Sequence, residues 1–263
     1  MNKISKILIP FNFKESALNA LNYAVSFSKK AQETHIQLLY IMLGDESMSE
    51  SEIESKFSET LEKLNYQSAR PTITFQIKKG AINAQILDAR EEFQADLIVM
   101  GTKGSKEDAE VENTNTSSFI NSAKCPVIVV PMTFKDFKLD HITLAIDKSE
   151  IAKPNLLKVL LVIARRFDAK IHVLTVYDEN DKDYLKEQDN ESILDYYFER
   201  YYDTSSATRS SKIADSIIEY DKKRSIDMLA IIPRNQAIGE QPSEGKLTQY
   251  LTKHSDIPIL IID

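Results

Sequence analysis

Two glycines three residues apart follow the fourth apolar run of the chain, in the segment Gly101-Thr102-Lys103-Gly104-Ser105. The whole chain holds only six glycines, so a pair at this spacing stands out. Glycine lets the backbone take unusual dihedral angles and lets main-chain N–H groups approach phosphate oxygens. The pattern indicates a phosphate-binding loop, although two glycines after a strand are also typical of an ordinary turn.

Polar side chains that suit the same chemistry come shortly afterwards. Residues 113–116 read Asn-Thr-Asn-Thr, at the start of a short helix that we predict over 116–123. The free N–H groups and the dipole at a helix start favour an anion. Asn and Thr are also common helix caps, so this segment is compatible with either a phosphate site or a plain cap.

The chain repeats itself. Residues 6–41 align without a gap with residues 141–176, and the ends of the halves also align, 95–104 with 226–235 and 125–131 with 257–263. A repeat of this length is a whole domain rather than a solenoid unit. We therefore predict two domains of one fold, 1–133 and 139–263. The connector is short, and from this we expect the two domains to pair within the chain.

The elements that must position these residues follow from the hydrophobic pattern. Short apolar runs, typical of strands buried on both faces, alternate with segments of helical periodicity. This alternation predicts an α/β fold, with an open parallel sheet in each half and helices on both faces. Ligands of such sheets bind beyond the carboxyl ends of the strands. Strands are predicted near 6–10, 36–41, 72–77, 97–100 and 127–130, and near 142–146, 171–176, 199–206, 228–232 and 259–262.

Composition argues against several classes of function. The net charge is -7, which disfavours binding to nucleic acid or to an anionic membrane surface. No apolar run approaches the roughly 18 residues of a membrane span, and the N-terminus does not resemble a signal peptide. Cys125 is the single cysteine, so no internal disulfide can form, and we expect a cytoplasmic protein. The four histidines have no metal-ligand spacing, and we predict no metal site and, for His172, a packed side chain.

Four segments in order carry a resemblance to a known family: Lys-Ile-Leu-Ile-Pro at 6–10, Asn-Phe-Lys-Glu-Ser at 12–16, Ala-Asp-Leu-Ile-Val-Met-Gly-Thr-Lys-Gly at 95–104, and Lys-Cys-Pro-Val-Ile-Val-Val-Pro at 124–131. The chain resembles a tandem universal stress protein, more closely in its first half than in its second. The resemblance implies a Rossmann-like five-stranded parallel sheet in each half, with strand order 3-2-1-4-5. It also implies pairing of the two halves and a homodimer as a further assembly.

One branch of that family binds ATP, and the resemblance carries its site onto this chain residue by residue. Main-chain groups of Pro10 and Ile41 would contact the base, and Asn12 stands where the branch has an Asp that contacts the nucleoside. Gly101 and Gly104 would donate N–H groups to phosphate, and Thr114 would supply a hydroxyl.

Both halves depart from the pattern of the ATP-binding branch. In the first half the loop is one residue short, Asn113 replaces a glycine, and four acids oppose a triphosphate: Glu107, Asp108, Glu110 and Glu112. In the second half Asp147 keeps the acid, but Ile232-Pro233-Arg234-Asn235 replaces the glycine loop, and proline has no N–H to offer. The full set of site residues is therefore present in neither half.

These observations predict a non-catalytic stress-response protein that binds or regulates, with a weakened site for ATP or AMP in the first domain. The alternative is a nucleotide-free interaction scaffold that dimerises. A slow ATPase is a third interpretation. None of the sequence signatures of adenylyl transfer, of metallohydrolases or of serine hydrolases occurs in the chain.

Overall fold

A computed structural model describes residues 3–31, 33–44, 48–64, 71–103, 119, 123, 125–146, 154–177, 194, 196–233 and 246–262. These residues fall into two compact units. The first unit comprises Lys3–Lys103 and Val111–Phe137, and the second is built on Lys138–Asp263. Each unit is described by itself below.

The first unit alternates strands and helices from its start, because apolar runs of strand length are separated by amphipathic segments. Its elements are β1 (Lys6–Pro10), α1 (Glu15–Ser28), β2 (His35–Met42), α2 (Glu50–Lys63), β3 (Thr72–Lys79), α3 (Ile82–Phe93), β4 (Leu97–Thr102) and β5 (Val127–Pro131). Helix α2 begins with a capping box, in which the Ser49 hydroxyl accepts from the Glu52 N–H and the Glu52 carboxylate accepts from the Ser49 N–H.

The second unit repeats this order with shorter helices. Its elements are β6 (His141–Ile146), a 3-10 helix (Pro154–Leu157), α4 (Lys158–Phe167), β7 (Lys170–Tyr177), a 3-10 helix (Glu199–Tyr201), β8 (Tyr202–Arg209), α5 (Ile213–Lys223), β9 (Met228–Ile231), α6 (Lys246–His254) and β10 (Ile259–Ile261). Among the residues that the structure describes, no helix combines the length and the apolar character needed to cross a membrane.

All strand pairs within each unit are parallel, and both units have the same topology. The order is β3-β2-β1-β4-β5 in the first unit and β8-β7-β6-β9-β10 in the second. The predicted order 3-2-1-4-5 is therefore confirmed. In the first unit, β2 and β3 lie on one side of β1, and β4 and β5 lie on the other. In the second unit, β7 and β8 lie on one side of β6, and β9 and β10 lie on the other. The strand order therefore reverses at β1 and at β6.

Two of the predicted elements need comment. The strand predicted over 199–206 starts too early, because residues Glu199–Tyr201 form a 3-10 helix and β8 starts at Tyr202. Strand β8 is polar on both faces, so its sequence carries no apolar alternation to mark its start. The helix predicted over 116–123 lies outside the described residues, apart from Phe119 and Ala123, which are both buried.

The central strands of each unit form its core. Ile7, Leu8 and Ile9 of β1 are fully buried, and so are the equivalent residues of β4 and β9. Cys125, just before β5, is buried as well and forms no disulfide. The outer strands β3 and β8 are the most exposed, as expected for strands with one neighbour.

A carboxylate at the same position in each unit fixes the start of the first strand. Oδ2 of Asp96 accepts from the main-chain N–H groups of Ser5 and Lys6, at 2.8 and 2.9 Å. Oδ2 of Asp227 accepts from the N–H groups of Asp140 and His141, also at 2.8 and 2.9 Å. These charge-assisted hydrogen bonds satisfy main-chain N–H groups at the start of the first strand of each unit, β1 and β6.

Candidate functional site

Three predicted site residues meet at one edge of the first sheet. Pro10 is the last residue of β1 and pairs with Leu39 of β2, and Ile41 follows two residues later in β2. Gly101 lies near the end of β4, three residues after Ile98, which pairs with Leu8. Because β2, β1 and β4 are neighbours and parallel, their carboxyl ends lie side by side at the point where the strand order reverses. Gly104 and Thr114 lie outside the described residues.

The ladder between β1 and β2 ends just short of Ile41. Among the described residues its last bond runs from the N–H of Phe11 to the carbonyl of Leu39, at 2.8 Å. Main-chain groups of alternate residues face the same neighbouring strand. The N–H and C=O of Ile41 therefore extend beyond the end of β1, on the side where those of Leu39 are bonded. A planar ligand with a donor and an acceptor on one edge would match these groups.

Asn12 is exposed, in the loop between β1 and α1. Its side-chain oxygen accepts a hydrogen bond from the N–H of Lys14 at 3.2 Å, as in an Asx turn. Lys14 is the residue that precedes α1. Asn12 thus already has a local role in shaping the loop, which is independent of any ligand.

Phe13, next to Asn12, takes a left-handed backbone conformation with φ of 61°. This conformation is uncommon for a bulky residue and is kept only where the surroundings fix it. Here the Phe13 ring lies 5.2 Å from the Phe11 ring, 5.5 Å from Tyr40 and 4.8 Å from the buried Phe57 of α2. The Lys56 ammonium lies 5.9 Å from the centre of the Phe13 ring.

These contacts define an aromatic cluster of Phe11, Phe13, Tyr40 and Phe57 at the carboxyl edge. Sequence reasoning did not single it out. Its only sign in the sequence is a pair of phenylalanines on either side of Asn12. The cluster connects the β1–α1 loop to α2, so the position of Asn12 depends on how α2 packs.

Gly101 has a second explanation besides phosphate binding. A Cβ atom at this position would lie 1.9 Å from the main-chain carbonyl oxygen of Ser16, in the first turn of α1. Helix α1 crosses β4 at this point, and only a residue without a side chain allows the approach. The same position of the second half is occupied by Ile232. The first glycine of the pair is therefore required by helix packing, whatever else it binds.

The part of the chain that the structure describes places no three His, Cys, Asp or Glu side chains where they could hold a metal ion. His172 is buried, as predicted for a packed side chain, and it contacts His141 and Asp203 at the opposite, amino-terminal edge of the second sheet. The candidate site at the carboxyl edge of the first sheet consequently rests on main-chain groups, one amide and the glycines.

Comparison with protein families gives the same match in both halves. The model of the universal stress protein family matches residues 3–131 and, again, residues 138–263. The chain belongs to this family. Since both matches span nearly a full unit, it is a tandem universal stress protein. Among curated proteins the comparison found no match.

Solved structures share the tandem universal stress protein fold over the whole chain. A universal stress protein from Archaeoglobus fulgidus is 15% identical, with a TM-score of 0.71, and the match covers 99% of this chain and 97% of that one. A putative universal stress protein from Pseudomonas aeruginosa is 14% identical, with a TM-score of 0.61 and coverage of 99% and 94%. At these identities the likeness shows the fold.

A single-unit relative has been solved with a nucleotide. This universal stress protein family protein from Arabidopsis thaliana, with AMP bound, is 16% identical, with a TM-score of 0.35, and the match covers 48% of this chain and 91% of that one.

Proposed function

We propose that this universal stress protein is a non-catalytic binding module whose first unit holds an adenine nucleotide weakly. The observation that supports the proposal is the meeting of Pro10, Ile41 and Gly101 at the reversal of strand order, beside the exposed amide of Asn12. This is where open α/β sheets bind their ligands.

In this proposal the base lies against the strand ends. Its donor and acceptor groups pair with the main-chain groups of Ile41 beyond the last bond of the β1–β2 ladder. Asn12 contacts the nucleoside through its amide, which can donate as well as accept. Gly104 and Thr114 serve the phosphate. The neutral amide replaces a carboxylate, so hydrogen bonds to ribose hydroxyls are weaker than those of an acid, and affinity is accordingly low.

The second unit does not share this function. It has Ile232-Pro233 where the first unit has Gly101-Thr102. Pro233 has no main-chain N–H to donate, and Ile232 carries a side chain where Gly101 has none. Any bound nucleotide is therefore expected at one site per chain, in the cytoplasm of the cell.

The experiment that tests the proposal is isothermal calorimetry with AMP and ATP on the full chain. Gly104→Val should abolish binding, and Asn12→Ala should weaken it. Asn235→Val, at the aligned position of the second half, is the matched control and should leave binding unchanged. Gly101 is unsuitable for substitution because it also contacts α1. Equal binding by the wild type and Gly104→Val would refute the assignment to the first unit.

A second candidate is a nucleotide-free scaffold that dimerises. It is favoured by the structural roles that two site residues already have: Asn12 shapes the loop and Gly101 accommodates α1. Mass spectrometry of small molecules released from protein purified without added nucleotide separates the two. Release of an adenine nucleotide supports the binding module, and its absence, together with no calorimetric signal, supports the scaffold. Turnover of ATP by the purified chain would instead establish the slow ATPase.

A further inference from the structure

Strand β3 forms one edge of the first sheet, and among the described residues no strand pairs with its outer side. All eight of its residues pair with β2 without a register shift. The N–H of Thr72, at its start, donates to the carbonyl of Thr34, and the N–H of Gly80, just after its end, donates to Met42. Main-chain groups of alternate residues face the same neighbouring strand. The N–H and C=O groups that face away from β2 are therefore those of the odd-numbered residues, Ile73, Phe75, Ile77 and Lys79.

The side chains of the odd-numbered residues share the face of β3 that lies toward α2. Phe75 stacks on the buried Phe57 of α2, with ring centres 4.6 Å apart, and yet it remains 37% exposed. Ile73 and Ile77, on either side of it, are half-buried. A long and regular edge strand with β-branched and aromatic side chains is a template for pairing with another strand.

The two lysines at the end of β3 do not protect this edge as unpaired lysines would. The Lys78 ammonium is bonded to the carboxylates of Asp88 and Glu92 in α3, and only 11% of its side chain is exposed. The Lys79 ammonium lies 2.8 Å from the carboxylate of Glu50 in α2. Both positive charges are therefore balanced by carboxylates of the same unit, so they repel an approaching strand less than unpaired charges do.

The equivalent edge strand of the second unit, β8, is built differently. The register of the β7–β8 ladder shifts between Ile171 and His172. Ala207 is the only apolar residue between Asp203 and Arg209. Irregular, polar edges are the means by which sheets avoid pairing with another chain. We therefore expect association at β3 and not at β8.

A second copy of β3 matches this edge when the two strands run antiparallel about a two-fold axis at Phe75. Phe75 of one copy then lies opposite Phe75 of the other, and Ile73 lies opposite Ile77. These residues have outward N–H and C=O groups, so each pair can exchange two hydrogen bonds. Lys78 lies opposite Thr72, so no two lysines face each other. Aromatic and β-branched pairs stabilise antiparallel strands, whereas like charges placed opposite each other destabilise them.

We propose that the outer edge of β3 is a docking surface for a second copy of this chain, and that two chains associate as an antiparallel β3–β3 pair centred on Phe75. The surface is the same on both copies, so the assembly closes at two chains. It uses none of the residues of the candidate nucleotide site, so it does not depend on the proposed nucleotide binding.

The test is sedimentation equilibrium of the full chain, from low micromolar to near-millimolar concentration. A buffer with about 0.15 M salt screens the repulsion between two chains that each carry a net charge of -7. The wild type should show a reversible equilibrium between one chain and two, with no larger species. Phe75→Lys places like charges opposite each other at the axis and should weaken association at least about tenfold. Ser205→Lys, which adds the same charge to the edge strand β8, is the control and should associate like the wild type.

Mixing two variants tests the register. The F75K and F75E proteins should each be monomeric, and their equimolar mixture should form a dimer, because opposite charges then meet at the axis. Circular dichroism shows whether these variants fold. If they do not, Ile73→Pro removes an outward N–H but leaves the bonds between β3 and β2 in place, and it should also prevent association.

Three results would overturn the proposal. The first is a wild type that stays monomeric over the whole range of concentration, which would leave the edge to an extended segment of another protein. The second is a dimer that persists in F75K and in Ile73→Pro, since the interface would then lie elsewhere. The third is a mixture of folded F75K and F75E proteins that remains monomeric, since this excludes pairing at Phe75.

Discussion

A Cβ atom on Gly101 would lie 1.9 Å from the carbonyl oxygen of Ser16. The obstacle is main chain, so no rotation of a side chain relieves it, and α1 would have to move off β4. We predict that Gly101→Ala lowers the free energy of unfolding by about 1–3 kcal/mol, the usual cost of overpacking. Urea unfolding measures this. Ser16→Ala keeps the carbonyl and should change stability by well under about 1 kcal/mol. An unaffected Gly101→Ala protein would mean that α1 does not approach β4 so closely.

The second prediction concerns the paired carboxylates. Asp96→Ala and Asp227→Ala each leave two main-chain N–H groups without their charged acceptor. Each variant should therefore lose about 2 kcal/mol or more of stability. Because the two aspartates have the same role, the two losses should be similar. The exposed Asp136 gives the control, and Asp136→Ala should unfold like the wild type. A large loss in only one of the two variants would contradict the equivalence of the units.

The third prediction concerns ligand charge. If segment 107–112 lies near the phosphates, as the resemblance implies, its four acids (Glu107, Asp108, Glu110 and Glu112) should repel a triphosphate more than a monophosphate, so ATP should bind no better than AMP. Asn12→Asp keeps the oxygen that accepts from Lys14 and adds a charge for hydroxyl groups, so it should raise affinity for both nucleotides. The double variant with Asn113→Gly should bind more tightly still. Calorimetry with ATP and AMP on the wild type, Asn12→Asp and the double variant measures these affinities. Tighter binding of ATP than of AMP by the wild type would contradict the prediction.

The fourth prediction is a pH dependence from Asp221. Burial raises the pKa of its carboxyl to about 7, and the Thr143 hydroxyl opposes the rise only in part. The folded state thus holds a proton that the unfolded chain releases near its ordinary pKa of about 4. The resulting stability is full below about pH 4 and is lost as the pH rises toward 7, by up to about 4 kcal/mol.

Asp221→Asn should flatten this dependence, and the difference between the two stability curves isolates it from other titrating groups. Unfolding by urea at several pH values between about 4 and 8 supplies both curves. Glu219→Gln, on the exposed side of the same helix, is the control. Parallel curves for the wild type and Asp221→Asn would show that this carboxyl does not hold a proton in the folded state.

The order of the elements was predictable because each central strand is a short apolar run between amphipathic segments. The start of β8 was not, since Tyr202–Arg209 has no apolar face and the 3-10 helix before it leaves no mark in the sequence. Edge strands pack on one neighbour only, so their sequences are less constrained by burial.

The placement of Pro10, Ile41 and Gly101 at one edge of the sheet was also predictable, because the topology alone brings the carboxyl ends of β1, β2 and β4 together. The close approach of Ser16 to Gly101 was not, since it joins residues 85 positions apart and depends on how a helix crosses a strand. Asp96 and Asp227 could have been found. In the aligned repeats, each is an aspartate directly before an apolar strand, β4 or β9, and this shared position was a signal in the sequence.

The contacts of His172 with His141 and Asp203 show the limit of such reasoning. Each residue alone has the appearance of an ordinary polar position, and the register of the β7–β8 ladder shifts between Ile171 and His172, beside Asp203. Register irregularities of this kind have no local sequence pattern.

Cys125 gives the first unit a probe that the second unit lacks. Its thiol is buried and is the only one in the chain. A thiol reagent can reach it only when the region around β5 opens, so the rate of labelling reports the opening of the first unit alone. Labelling of Cys125 under increasing urea, compared with the unfolding of the whole chain measured by circular dichroism, would therefore show whether the two repeats unfold together or one after the other.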